Sequence, residues 1–180
     1  MPKYARYIGL VFLLVCAHVA HARIGESLST IKGRLGKHLN FDRGAHRAMW
    51  SLGKQRQVYY IVEVDNNLIS IAERIEPAEG YRLSKAHIDQ FVSRQLEQIE
   101  TLAKNNEDLS MDTYEGGATV PFGGQGFLVP SPGTAFLFPK LHILIVADYG
   151  TNPSVEVISS QWVRQEMKEG VDSPQKILNF

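Results

Sequence analysis

His38, Asp42 and His46 recur at four-residue intervals, and three ligands of these types could hold a zinc ion. The spacing is generic. None of His38, His46, His87 and His142 builds H-x-x-H or H-E-x-x-H, the patterns that put two ligands on one helix face. No metal ion and no cofactor are therefore expected. Residues 23–180 contain no cysteine, so a cysteine nucleophile is excluded there. Ser131-Pro132-Gly133 lacks the G-x-S-x-G elbow whose glycines permit the strained turn of a serine hydrolase. Glu73/Glu76 and Glu97/Glu100 are paired carboxylates on amphipathic elements, which reads as solvated surface. No catalytic residue is thus expected. The alternative is a hydrolase using His38, His46 or His142, with the glycine-rich segment as its lid.

That segment runs through Glu115-Gly116-Gly117 and Phe122-Gly123-Gly124-Gln125-Gly126-Phe127. A phosphate-binding loop needs Lys-Ser/Thr after its last glycine, and Phe127-Leu128 follows instead. A dinucleotide fingerprint needs a helix next, which Pro130 and Pro132 deny. What remains is a flexible Gly/Pro-rich loop over 108–133 carrying apolar side chains, suited to docking on a partner. The expected binding residues are Phe122, Gly123, Gly124, Gly126 and Phe127. Tyr59 joins them, as a tyrosine on an exposed sheet face.

The elements that must position these groups follow from periodicity. Leu28, Ile31 and Leu35 make a helical stripe over 26–36, with Ser27 as cap and Gly36 as stop. Residues 38–47 read as polar and irregular. Three strands follow in meander order, at 48–52, 55–65 and 68–75, the last two joined by Asp65-Asn66-Asn67, where Asn tolerates positive φ. Ile88, Phe91, Val92, Leu96, Ile99 and Leu102 give a long amphipathic helix over 83–105, capped by Ser84. After the loop come strands at 134–138, 141–149 and 154–159 and a last helix at 161–169. Trp50 and Trp162 are expected core anchors. This order predicts one α+β domain with a mainly antiparallel sheet, one long helix and two short ones.

The first 22 residues form an export pattern. Lys3 and Arg6 precede the apolar run 8–17, and Ala20-His21-Ala22 supplies the small residues of a cleavage site. The run is shorter than the roughly 20 residues that span a membrane. The expectation is a signal peptide at 1–22, cleavage after Ala22, and a periplasmic or secreted domain at 23–180. Cys16 is the chain's one cysteine, and Val15 before it disfavours the alternative of a lipid anchor. Cleavage removes two basic residues and no acid from totals of 19 and 19, leaving a net charge of −2. That balance argues against nucleic-acid binding. The expected partner is another envelope or extracellular protein.

Arg23-Ile24-Gly25-Glu26-Ser27, with the helix ending Arg34-Leu35-Gly36-Lys37, resembles small exported bacterial proteins whose mature chains begin R-I-G-E-[ST]. Looser matches lie at Leu83-Ser84, Ala147-Asp148-Tyr149, 155–159, Trp162 and 177–180. More distantly, a short helix, L-G-K and a meander are similar to β-lactamase-inhibitor-like domains and small envelope-assembly lipoproteins. That resemblance implies an interaction role, with no catalytic residues to carry over. The inhibitors' disulfides have no counterpart in residues 23–180.

Overall fold

A computed structural model describes residues 24–52, 57–103 and 109–168. The expected signal peptide at 1–22, the expected turn at 53–54, the expected last residues of the long helix at 104–105 and residues 171–180 lie outside these residues. Helix α1 spans Leu28–Leu35. The Ser27 side chain accepts from the Thr30 amide at 3.2 Å, and Gly36 ends the helix at φ 77°. Strands β1 (Asn40–Asp42), β2 (Arg47–Leu52), β3 (Val58–Val64) and β4 (Ser70–Pro77) make an antiparallel meander. Strand β1 falls in the stretch expected to be irregular. A single apolar residue, Phe41, between Asn40 and Asp42 carries no strand signal, and pairing with β2 supplies the structure.

The β3–β4 turn is organised by Asp65, whose Oδ1 accepts from the amides of Asn67 and Ile69, both at 2.9 Å. Positive φ falls on Leu68 (60°), not on an asparagine as expected. The register then shifts at Glu63/Val64, because Ala72 pairs with Glu63 and Ser70 with Val64. Ile71 is the extra residue of this bulge.

Helix α2 (Lys85–Ala103) follows, with Ser84 Oγ accepting from the His87 amide. Strands β5 (Asp112–Glu115), β6 (Thr119–Phe122) and β7 (Gln125–Leu128) occupy the segment expected to be a loop. Then come β8 (Gly133–Phe138), a 3-10 turn (Pro139–Leu141), β9 (Ile143–Asp148), β10 (Ser154–Ser159) and α3 (Ser160–Lys168). Eight strands form one antiparallel sheet in the order β1-β2-β3-β4-β10-β9-β8-β5, and β6-β7 stand apart as a hairpin. The protein is α+β, as the sequence predicts.

Both sheet faces are covered. On the first, α1 and α2 bury Ile31, Ile88, Phe91 and Ile99 against Trp50, Tyr60, Val62, Ile145 and Val157. On the second, the hairpin and α3 bury Val120, Phe122, Phe127, Trp162 and Val163 against Ala135, Leu137, Leu144, Val146 and Ile158. Trp50 and Trp162 are both core residues, as expected.

Gly123 and Gly124 form the hairpin's two-residue turn at φ 60° and 86°, conformations that side chains disfavour. A Cβ on Gly123 would also stand 2.9 Å from the Val163 side chain. Gly123→Ala should therefore cost about 2 kcal/mol of stability in urea denaturation. Gly126→Ala should cost clearly less, because φ is ordinary there and the nearest atom is the Thr119 methyl at 3.0 Å. Equal losses would contradict this account of the turn.

Candidate functional site

Alternation on a strand sends every second residue to the second sheet face. On β3 these are Tyr59, Ile61 and Glu63; on β4 they are Ala72, Arg74 and Glu76. The register sets Arg47 of β2 opposite Glu63, and Arg74 opposite Glu156 of β10. Four strands thereby bring five charged side chains together. Arg47 Nη2 lies 3.1 Å and Arg74 Nη1 2.8 Å from Glu63 Oε1, while Arg74 Nε lies 2.6 Å from Glu76 Oε1. The Trp162 indole donates to Glu63 Oε2 at 2.7 Å. Both oxygens of Glu63 are thus held, and the residue is 9% exposed.

Glu156 is treated differently. It is 7% exposed, and its Oε2 has no hydrogen-bond partner. Burial pushes its carboxyl up to about 7; Arg74 opposes the rise, and Glu63 and Glu76 reinforce it. For Arg74, burial disfavours the charge, but Glu63, Glu156 and Glu76 outweigh it and hold the guanidinium above its ordinary value. Three carboxylates face two guanidinium groups here, and burial favours the protonated form of Glu156.

Beside this cluster lies a cleft of about 430 Å³ between the β1–β2 turn and α3. Its polar walls come from His46, Asn66, Gln161, Arg164 and Gln165, with Glu63 at the junction with the charged cluster. The cleft is braced on both sides. Gln161 Nε2 donates to Asp65 Oδ2 at 2.9 Å, and Arg164 Nη1 to Ser160 Oγ at 3.3 Å. Burial pushes the Asp65 carboxyl up, but donors from Ile69, Gln161 and Asn67 outweigh it and hold the group below its usual range. On the opposite wall His46 sits at φ 48°, with its carbonyl accepting from the Val64 amide at 2.9 Å. Its Nδ1 is buried without a partner. Braced donors and acceptors around a concavity of this size can hold a polar group of a ligand or of a partner.

A third acid lies under the first face. Glu73 is 1% exposed and accepts from the Tyr60 hydroxyl at 2.7 Å and from Gln95 Nε2 at 3.0 Å. Burial pushes it up to about 7 despite these donors. Its expected place on a solvated surface is corrected. Alternation on β4 points to water only if one face is bare, and both faces here are covered. Glu76 is half-buried, whereas Glu97 and Glu100 are exposed as expected.

The residues expected to bind are placed as follows. Phe122 and Phe127 face inward, their rings 6.0 Å apart in an edge contact within the second core. Their side chains are occupied in packing, and Leu128 is the apolar side chain the hairpin exposes. Gly123 and Gly124 make the turn, and Gly126 is exposed on β7. Tyr59 is half-buried on β3, paired with Ser51 and Glu76, and is not among the residues of the hairpin's core. The histidines are not drawn to one centre. His38 packs against Phe41 and edge-on to Trp50, ring centroids 5.9 Å away in each case, and His46 lines the cleft. His142, expected inside an apolar strand, is exposed and closes the 3-10 turn at φ 55°. Among the described residues no group of three or more His, Cys, Asp or Glu side chains is placed to hold a metal ion. No helix among them is long and apolar enough to cross a membrane.

The fold and site define an α+β protein with an antiparallel sheet packed on both faces and a polar cleft beside a largely buried charge cluster. Compared with known proteins, the chain matches no family model, no curated protein and no solved structure.

Proposed function

We propose that this chain is an exported binding module of the cell envelope or its surroundings. It acts by recognition, not by catalysis, and its partner is another envelope or extracellular protein. The observation that carries this reading is the cleft at Glu63. The carboxylate there is fixed by two guanidinium groups and an indole N–H, and the surrounding donors are braced by Asp65 and Ser160. Preorganised polar walls bind with little ordering cost, which suits a partner's polar side chains or chain end. The signal-like pattern at 1–22 and the resemblance carried by Arg23-Ile24-Gly25-Glu26-Ser27 support export. Intact mass of the exported protein should give an N-terminus at Arg23, and a lipidated Cys16 would replace this with an anchored protein.

One observation favours hydrolysis as a second reading, namely the unpartnered Nδ1 of His46 in the cleft wall. A screen of ester, phosphate and peptide substrates, with and without added zinc, separates the two. The binding reading expects no turnover. Turnover that His46→Ala abolishes would overturn it.

A further inference from the structure

A second concave surface lies beside β1, at the end of the sheet order. It is an open groove of about 760 Å³, walled by α1, the α1–β1 link and the β1–β2 and β3–β4 turns. Its cations are Lys32, Lys37 and Arg43, all exposed. Its apolar surface is Leu39 and Leu68, which are 49% and 43% exposed, with Phe41 behind them. No Asp or Glu lines it. Such a one-signed surface departs from the charge balance of the chain, which holds 19 basic and 19 acidic residues. Among the described residues, Lys32, Lys37 and Arg43 enter no ion pair. Asp42, close by in sequence, turns its Oδ1 to the amides of Gly44 and Ala45 at 2.9 and 3.1 Å. The three cations are therefore free to meet an outside anion.

The backbone adds a second kind of recognition. Strand β1 ends the sheet order, so one of its edges has no strand beside it among the described residues. An open edge can accept an added strand through main-chain hydrogen bonds, while neighbouring pockets select the side chains. We propose that this groove docks an extended acidic segment of a partner protein, added beside β1. Carboxylates of the segment meet Lys32, Lys37 and Arg43, and its apolar side chains cover Leu39 and Leu68. A concave groove along a strand edge fits a polypeptide. A lipid surface is broad and flat and offers no backbone to pair. The inference goes beyond the cleft and stands even if the cleft binds nothing.

The test uses the exported protein and a capped seven-residue peptide of alternating glutamate and valine. The same peptide with lysine for glutamate, and phosphatidylglycerol vesicles, serve as comparisons. The glutamate peptide should bind saturably and lose affinity as ionic strength rises. Combined K32E, K37E and R43E substitutions should weaken it by at least about tenfold. All three residues are exposed, so the fold should survive, as circular dichroism would report. L39N alone should weaken binding without changing charge. On binding, amide exchange should slow at 40–42. Absence of saturable binding would overturn the proposal. So would equal binding of the lysine peptide, or affinity that charge reversal leaves unchanged. Vesicle binding that K32E, K37E and R43E abolish, without peptide binding, would assign the groove to anionic lipid instead.

Discussion

Glu63→Ala is expected to lower the unfolding free energy by about 3 kcal/mol at neutral pH. The substitution removes an acceptor that three donors share. Trp162 is buried, so its indole N–H would lose its acceptor away from water, and Arg74, whose side chain is 13% exposed, would lose one of its carboxylates. Arg47 is more exposed, and its ion pair adds less. Glu63→Gln keeps an oxygen for the indole and should cost about 1 kcal/mol. Denaturant unfolding of the two variants measures the difference. A loss from Glu63→Ala as small as that from Glu63→Gln would mean that the cluster does not organise this face.

The second large effect is a fall in stability as pH rises from about 4.5 to about 7. Glu73 and Glu156 both have folded-state carboxyls raised to about 7 from an ordinary value of 4.5, chiefly by burial. Between those values the folded protein holds protons that the unfolded chain has released. Stability therefore decreases with rising pH across this window, and the loss is complete above the folded value. Each group's contribution is on the order of 3 kcal/mol. Asp65 and Asp89 act in the opposite sense. Asp89 is held below its usual range first by its hydrogen bond to Lys85, and Asp65 by the donors around it. Their stabilisation is lost as pH falls below the ordinary carboxylate range. The stability maximum should therefore lie near pH 4 to 5. Glu73→Gln retains an oxygen for Tyr60 and Gln95 and places its amide toward Ser70 Oγ, which lies 3.5 Å from Glu73 Oε1. It should raise the melting temperature at pH 8 and leave it nearly unchanged at pH 4. Glu156→Gln should act likewise. A wild-type profile flat from pH 4.5 to 7 would contradict the burial of both acids.

The fold was legible where local signals agree with tertiary packing. Ser27 and Gly36 bracket α1, the stripe of Ile88, Phe91, Val92 and Ile99 marks α2, and the alternation from Val58 marks β3. The hairpin was not legible. Glycine and proline dominate 108–133, and they signal a turn more strongly than Val120, Phe122 and Phe127 signal strands. Those three residues reach the interior only because α3 and the sheet form a surface to receive them. Gly123-Gly124 between alternating apolar residues was the available sign of a hairpin.

The candidate site was almost wholly illegible. Glu63, Arg74 and Glu156 come from three strands, and Glu156 meets Arg74 only because β10 pairs with β4 across a long separation in sequence. A single sequence does not reveal that register. Gln95, buried in the apolar face of α2, was a usable sign of a polar partner beneath it, and that partner is Glu73. In the sequence His46 shares a generic four-residue spacing with His38 and Asp42, and no metal is expected from it. Its place in the cleft wall follows from a tight turn after β1, not from any metal-binding arrangement.

Site-directed photo-crosslinking from the cleft tests the central claim most directly. A photoreactive residue at Gln165 reports on the cleft, and one at Gln90 on the exposed side of α2 serves as control. Both are introduced into the full chain in the cells that produce it. The account predicts a discrete protein adduct from position 165, lost when Arg164→Glu is added, and none from position 90. No adduct from 165, or the same adducts from both positions, would contradict recognition through this cleft.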